Sequence, residues 1–460
     1  MPLDRSIFKA YDIRGIVDRT LTVEAVRAIG LALGHRALAA GNRSTVIGRD
    51  GRLSGPTLSA ALADGFGAAG VDVIDVGLVT TPMVYFATHH LGTGTGVAVT
   101  GSHNPPDYNG LKMVIAGEAI HGAAITALAE SIEAGLSEVP PAARGALSTA
   151  SVADAYVERI AGDVKLARPM KIAIDCGNGV AGAIAGRLFR ALGCEVIELF
   201  CEVDGTFPNH HPDPAHPENL QDLIRCLRET DAEIGLAFDG DGDRLGVVTK
   251  SGQIVFPDRQ LMLMAAEVLE RHPGAQILYD VKCTRNLGAW IRARGGQPLM
   301  CRTGHSLVKA KLRETGAPLA GEMSGHIFYK DRWYGFDDGL YAGARLLEIL
   351  SRTADPGAAL EALPDSPTTP ELHLKLAEGE NFALIEAMRA SARFPGATEV
   401  VTIDGLRVEY PDGFGLARAS NTTPVVVLRF EADTDAALAR IQSQFRDAIR
   451  GVKADAGLPF

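Results

Sequence analysis

The chain has 460 residues, 46% hydrophobic and 22% charged, enough apolar material for several cores at roughly 100–200 residues per domain and unlike a disordered chain. Its 45 Lys and Arg against 56 Asp and Glu leave a formal charge of −11, which disfavours nucleic acid and anionic membrane as partners and requires any anionic ligand to find a local basic pocket. The six cysteines, Cys176, Cys194, Cys201, Cys226, Cys283 and Cys301, form no C-x-x-C pair, so neither a zinc site nor a disulfide framework is expected. Met1-Pro2-Leu3-Asp4-Arg5-Ser6 lacks an apolar leader core, and no stretch reaches the ~18 consecutive apolar residues of a membrane helix. A reducing, cytoplasmic setting is the expectation.

In chain order, three segments repeat one pattern of apolar strand, Asp-containing turn, helix, small-residue stop and apolar strand. The first runs from the strand Thr45–Asp50 through a helix over Leu58–Ala69 to the strand Val71–Val76. The second has Lys171–Asp175, a helix through Leu188 to Leu192, and Cys194–Ile197; the third has Gln276–Asp280, a helix near Leu287–Arg294, and Leu299–Cys301. Each predicts a βαβ unit with parallel, buried strands. A Pro-rich stretch, Leu363 to Pro370, reads as a linker and a candidate hinge. Beyond it the spacing predicts strands at Glu399–Ile403, Leu406–Tyr410, Gly415–Arg418 and Val425–Phe430 and a closing helix over Asp433–Ile449. The expected divisions are three α/β domains over residues 1–148, 149–253 and 254–365, and an α+β domain over 366–460.

The strongest chemical signal is Asp239-Gly240-Asp241-Gly242-Asp243-Arg244, which follows the apolar strand Ile234–Ala237. Alternate aspartates separated by glycines converge three hard oxygen donors, as magnesium requires. An EF-hand is excluded, because the positions that need Gly and Glu hold Arg244 and Lys250. A second segment, Thr100-Gly101-Ser102-His103-Asn104-Pro105-Pro106, holds Ser102 on a stiff turn, suited to carrying a transferable group beside a hard metal. No G-x-S-x-G elbow is present, and a His adjacent in sequence is poorly placed as base for the serine of a hydrolase. Gly321-Glu322-Met323-Ser324-Gly325-His326 offers donors and acceptors suited to sugar hydroxyls. Arg418-Ala419-Ser420-Asn421-Thr422-Thr423 supplies a guanidinium and several donors suited to phosphate. Tyr11, Arg14, Lys282 and His305 are weaker candidates, and for Arg14 a surface salt bridge is an equal reading. The run Pro208-Asn209-His210-His211-Pro212-Asp213-Pro214-Ala215-His216 lacks the helical or hairpin spacing of zinc ligands and reads as a solvated loop. No Walker A or H-E-x-x-H signature is present, and no G-x-G-x-x-G falls at a strand–helix turn, against a P-loop NTPase, a zincin and a dinucleotide enzyme.

Taken together and in this order, the four motifs resemble the α-D-phosphohexomutase family over nearly the whole chain. The resemblance implies three α/β domains with mixed sheets and a TATA-binding-protein-like α+β fourth domain around a central cleft. It implies that Ser102 is the phosphoserine, with Asp239, Asp241 and Asp243 holding one Mg²⁺ against it. Glu322 and Ser324, with His326 beside them, would read the sugar; Arg418, Ser420, Asn421 and Thr422 would clamp the phosphate that is not reacting. Tyr11, Arg244, Lys282 and His305 would be further contacts, and Arg14 and Lys112 would neutralise the transferring phosphoryl group. Lys112, His326, His103 and Arg14 are unranked candidates for the general acid or base.

The implied reaction moves a phosphoryl group between the 1 and 6 positions of mannose and glucose phosphates through a hexose 1,6-bisphosphate that turns over in the cleft, in a monomer or weak dimer. Phosphoglucosamine mutase is the alternative; that branch usually has Gln where Met323 stands and Ala where Gly242 stands. A phosphatase using the same Ser–metal pair, and a non-catalytic phosphosugar-binding protein, are the rival classes.

Overall fold

The computed structural model describes residues 3–421 and 423–460. The first domain carries β1 (Ile13–Ile16), α1 (Val23–Ala39), β2 (Ser44–Arg49), α2 (Gly55–Ala68), β3 (Asp72–Leu78), α3 (Thr81–His90), β4 (Gly96–Val99), β5 (Tyr108–Ile115), β6 (Glu118–Ala119), α4 (Ala123–Ala134) and β7 (Leu147–Thr149). Its sheet runs β1-β5-β4-β2-β3-β7, with β6 beside β5. The second carries α5 (Ala153–Asp163), β8 (Lys171–Asp175), α6 (Ala185–Ala191), β9 (Glu195–Leu199), α7 (Gln221–Glu229), β10 (Ile234–Phe238), β11 (Leu245–Thr249) and β12 (Ile254–Val255), in the order β12-β11-β10-β8-β9. β7 and β12 thus carry their sheets to Thr149 and Val255, slightly past the divisions expected from sequence.

The third has α8 (Pro257–Arg271), β13 (Gln276–Asp280), α9 (Arg285–Ala293), β14 (Gln297–Cys301), α10 (His305–Thr315), β15 (Leu319–Gly321), β16 (Ile327–Tyr329), α11 (Gly339–Leu350) and α12 (Pro356–Glu361), in the order β14-β13-β15-β16. The fourth has β17 (Leu372–Lys375), α13 (Glu380–Ser391), β18 (Glu399–Val401), β19 (Leu406–Tyr410), β20 (Gly413–Ala419), β21 (Val425–Ala432) and α14 (Asp435–Val452), with the antiparallel sheet β17-β21-β20-β19-β18.

The three βαβ units fold as predicted, and they share a further feature. In each sheet three parallel strands are followed by an antiparallel fourth, in the matching orders β3-β2-β4-β5, β9-β8-β10-β11 and β14-β13-β15-β16. The connection from third to fourth strand therefore leaves the carboxyl end of a central parallel strand, the edge where open α/β sheets bind ligands. It is Thr100–Asp107 in the first sheet, Asp239–Arg244 in the second and Glu322–His326 in the third. Topology thus puts the three chemical motifs at one equivalent position, and the fourth motif fills the β20–β21 turn.

These elements follow from local chemistry. β4, β8, β10 and β13 are almost wholly buried, as parallel strands covered on both faces must be. Thr22 and Thr80 cap α1 and α3 by accepting from Ala25 N and Met83 N, satisfying amide groups that a helix start leaves open. Every residue of α11 is buried, consistent with a helix that is apolar around much of its circumference. It lies against the second domain: a Cβ on Gly343 would be 3.3 Å from Phe189 and Leu236, and one on Gly339 would be 2.5 Å from the Arg244 carbonyl. The largest apolar core accordingly draws on all three α/β domains, from Val46 to Leu363.

The Pro-rich stretch is less free than expected. Thr368 pairs with Glu431 and Thr369 N donates to Phe430 O at 2.9 Å, so it joins the edge of the fourth sheet. β17 and α13 went unread, because a four-residue edge strand and a helix entered through Gly379 in the left-handed region offer little periodicity. α14 starts from Thr434, whose hydroxyl accepts from Ala437 N, and runs past the expected end to Val452.

Candidate active site

All four domains line one cleft of about 1070 Å³. From the first come Tyr11, Arg14, Ser102, His103 and Lys112; from the second Arg244; from the third Lys282, His305, Glu322, Ser324 and His326; from the fourth Arg418, Ser420 and Asn421. Thr422 lies outside the described residues. Arg14 is a cleft residue and not a surface cation: its side chain is 16% exposed, pairs with Asp12 and donates to Asn104 Oδ1 at 2.5 Å.

Ser102 sits at the tip of the β4–β5 connection with φ +50°, the left-handed region that non-glycine residues rarely enter. Its Oγ lies 3.2 Å from Asp239 Oδ2 and 3.1 Å from His103 Nδ1. The metal loop presses against it from the second domain, where a Cβ on Gly240 would be 2.3 Å from the Ser102 carbonyl. Here glycine is required by close backbone approach.

Asp239, Asp241 and Asp243 are fully buried and each brings a carboxylate oxygen within 4.8 Å of the others. Asp239 Oδ1 accepts from the amides of Asp243 and Arg244, both at 3.1 Å, so the loop closes on its own first carboxylate. Thr81 Oγ1 donates to Asp241 Oδ2 at 2.6 Å, and Lys112 Nζ reaches Asp241 Oδ2 at 2.8 Å and Asp243 Oδ2 at 2.5 Å. Asp241 Oδ1 is buried with no hydrogen-bond partner among the described residues. An all-carboxylate set with an unsatisfied oxygen fits a hard divalent cation such as Mg²⁺.

Charge states follow from this packing. Burial opposes ionisation of all three acids; at Asp239 burial and the Asp243 and Asp241 charges prevail and push its carboxyl well up, whereas Lys112, joined by the Thr81 hydroxyl at Asp241 and by His326 and Arg244 at Asp243, outweighs burial and holds those two down. Burial also works against the Lys112 ammonium, yet the aspartates raise its pKa further. His103 and His305 are held well below the usual imidazole value, first by burial and then by nearby cations, and are neutral. His326 is opposite: burial works against its charge, but chiefly Asp243, with Nε2 3.4 Å from Oδ1, lifts it to about 9. Arg244 Nε lies 3.3 Å from the same nitrogen. A protonated ring cannot accept there, and the paired carboxylates favour the charged form.

The Glu322–His326 loop is tied to the aspartate loop by an antiparallel bridge between Arg244 and His326. Glu322 Oε1 accepts from Gly304 N at 2.6 Å, and its Oε2 lies 3.0 Å from His326 Nδ1. Ser324 Oγ is 3.0 Å from that same Nδ1. Across the cleft Arg418 Nε donates to Asp404 Oδ2 at 3.0 Å, an oxygen that also accepts from Thr303 N at 3.0 Å. Lys282 Nζ donates to Glu371 Oε1 at 2.6 Å, and Tyr11 joins Thr303 O, at 2.9 Å, to Asn421. Arg14, Lys112, Arg244, Lys282 and Arg418 thus give this acidic chain a local group of cations in the cleft, as an anionic ligand would need.

The His210–His216 run is solvated only at its end, where Ala215 and His216 are exposed, and is packed before that. His211 Nε2 bonds His103 O, His210 Nε2 lies 3.1 Å from Asp175, and Asp213 is buried 3.9 Å from Arg244. It packs the second domain onto the serine loop. Sequence reasoning also missed Thr81, Asp404, Glu371 and the pair His305–Asp337, whose partners lie tens to hundreds of residues away and leave no local pattern.

The chain matches the phosphoglucomutase/phosphomannomutase α/β/α domain I over residues 5–138, domain II over 154–252, domain III over 256–366 and the C-terminal domain over 371–448. It is 58% identical over 448 residues to a phosphoglucomutase of Neisseria gonorrhoeae, covering 97% of both chains. It is 53% identical over 459 residues to the phosphomannomutase/phosphoglucomutase of Pseudomonas aeruginosa, covering 100% of this chain and 98% of that one. A crystal structure of a phosphoglucomutase/phosphomannomutase family protein from Burkholderia thailandensis superposes with a TM-score of 0.95 at 64% identity, covering 100% of both chains. These matches make the chain an isomerase of the mutase class. The chain belongs to the phosphoglucomutase/phosphomannomutase family of α-D-phosphohexomutases. Among the described residues no helix is long and apolar enough to cross a membrane.

Proposed function

We infer that this chain interconverts the 1- and 6-phosphates of glucose and of mannose by way of a phosphorylated Ser102. The observation that carries the reading is the placement of Ser102 Oγ, 3.2 Å from Asp239 in a cleft that also contains the cations Arg14, Lys112, Arg244, Lys282 and Arg418.

Phosphoryl transfer needs positioning and charge neutralisation more than covalent chemistry from the protein. In the first half-reaction the Ser102 Oγ–P bond breaks as a sugar hydroxyl bonds to phosphorus, giving a hexose 1,6-bisphosphate. In the second, after the bisphosphate turns over, the other phosphate returns to Ser102 and the isomer leaves. Asp239, Asp241 and Asp243 would hold one Mg²⁺, which supplies neutralisation of the phosphoryl oxygens. Arg14, Lys112 and Arg244 line the same end of the cleft and add fixed positive charge.

Near neutral pH Lys112 and His326 carry protons, which suits them to donate to a departing oxygen, whereas His103 is neutral and 3.1 Å from Ser102 Oγ. Of the four acid–base candidates this makes two donors and one an acceptor, and leaves Arg14 as fixed positive charge. Glu322 and Ser324 would bond sugar hydroxyls that exchange places when the ring turns over. Arg418, Ser420 and Asn421, with Tyr11, Lys282 and His305, would hold the phosphate that is not reacting. Because one chain supplies every cleft wall, a cytoplasmic monomer or weak dimer suffices.

The test is a phosphorus NMR time course with mannose 1-phosphate and then glucose 1-phosphate, in Mg²⁺ with trace hexose 1,6-bisphosphate. Both 6-phosphates should appear. Inorganic phosphate as the only product would instead mark a phosphatase, and an unchanged spectrum would oppose the reading.

A further inference from the structure

Arg52 lies outside every motif discussed above, yet its side chain is fully buried behind the serine loop. Its two terminal nitrogens donate to four carbonyls of that loop: Nη2 to Ser102 O at 2.9 Å and Asn104 O at 2.6 Å, Nη1 to Pro105 O at 2.5 Å and Tyr108 O at 2.9 Å. Arg is the side chain with a rigid, planar fork of donors able to do this. Asp50 completes the clamp. Its Oδ2 accepts from Thr100 Oγ1 at 2.7 Å and Gly101 N at 3.2 Å and lies 3.3 Å from Arg52 Nε, while Thr100 Oγ1 accepts from Ser102 N at 2.8 Å. Ser102 is therefore gripped at its amide and at its carbonyl.

The grip is needed because Ser102 holds a left-handed φ, a conformation that persists only where the surroundings impose it. The second domain backs the clamp. Phe207 lies beneath the guanidinium at 5.2 Å, and a Cβ on Gly205 would come within 2.8 Å of Arg52 Cα.

We propose that Arg52 is a positioning residue for phosphoryl transfer, its guanidinium holding the Ser102–Tyr108 carbonyls so that the serine oxygen stays aimed at the metal loop. The proposal rests on the mutase reading for its kinetic consequence, but not for its structural one. Arg52→Lys keeps a charge beside Asp50 and gives up the fork. Gly101→Ala reaches the same clamp in another way, since its Cβ would fall 2.4 Å from Arg52 Nε and 2.5 Å from Cζ and drive the guanidinium aside.

The experiment measures kcat and KM for glucose 1-phosphate, together with amide hydrogen exchange across residues 101–108, in the wild type and both variants. A displacement near 1 Å at a reacting group costs about 10²-fold in rate. Both variants should lose about that factor in kcat with KM changed less than about twofold, and exchange in 101–108 should quicken about tenfold while the sheets stay protected. If Arg52→Lys fails to fold, Gly101→Ala decides. Wild-type kcat in a variant, or unchanged exchange in the loop, overturns the proposal. A wild type that fails to isomerise glucose 1-phosphate overturns the mutase reading instead, leaving the exchange result to judge the clamp.

Discussion

Lys112 and Asp241 meet across the boundary between the first two domains, Nζ 2.8 Å from Oδ2, both fully buried. The lysine comes from β5 and the aspartate from the β10–β11 loop, and the same ammonium also pairs with Asp243, so one lysine ties the serine and metal motifs by contacts that neither motif reveals alone. Removing one partner of a buried pair leaves an uncompensated charge, worth about 3–5 kcal/mol. Lys112→Met should lose about that much stability in EDTA and recover part of it in millimolar Mg²⁺, with kcat reduced in both. Denaturant melts with and without Mg²⁺ check this; equal midpoints for variant and wild type in EDTA would refute it.

Glu322 is held by Gly304 N and paired with His326, so its carboxylate is fixed before any sugar arrives. Glu322→Ala should lower kcat/KM by about 10²-fold, the scale of one or two charge-assisted hydrogen bonds, and by the same factor for glucose and mannose 1-phosphates. None of the assigned sugar contacts distinguishes the 2-hydroxyl. A wild-type preference of several orders of magnitude for one epimer, or a variant that changes the ratio of the two, would contradict this assignment.

Arg418 is aimed by Asp404, which also accepts from Thr303 N and so ties the fourth domain to the third at the cleft edge. Losing a charged hydrogen-bonding partner of a phosphate costs about 1.5–3 kcal/mol. Arg418→Ala should therefore raise KM by about 10–10²-fold and change kcat less. Isothermal titration with glucose 6-phosphate should show the same loss in affinity. A fall in kcat at constant KM would place Arg418 at the reacting phosphate instead.

Asp338 caps α11 and accepts from the Tyr156 hydroxyl, and burial, aided by the neighbouring Asp337 charge, raises its pKa to about 7. A carboxyl with a higher pKa folded than unfolded makes the native state bind the extra proton, so its contribution to stability is full below about 4 and declines as pH rises to about 7. Asp338→Asn keeps an acceptor for Tyr341 N and Tyr156 and cannot ionise. The variant should gain on the wild type across that window, by at most a few kcal/mol at about 1.4 per pKa unit. Melts at pH 5 and pH 8 test the sign; a variant that loses on the wild type as pH rises would contradict it.

Much of this was legible in the chain. Apolar runs and small-residue stops give three βαβ units, and the four motifs identify the polar groups of the cleft. Two kinds of feature escaped. α11 is buried throughout, so no polar face marks its register, and β17 is too short for its alternation to stand out. The second kind is long-range partnership: Arg52 touches carbonyls about fifty residues on, and His211 reaches His103 O from the next domain. Nothing in either residue's neighbourhood announces those partners, because topology creates the contacts.

The most direct measurement follows the phosphoryl group itself. Enzyme labelled with radioactive phosphate on Ser102 is mixed with excess unlabelled glucose 1-phosphate for a single turnover, with Ser102→Ala as control. Label should leave the protein for glucose 1,6-bisphosphate and glucose 6-phosphate, and the control should neither take up label nor isomerise. Label retained on the protein while isomer forms, or released only as inorganic phosphate, would contradict this.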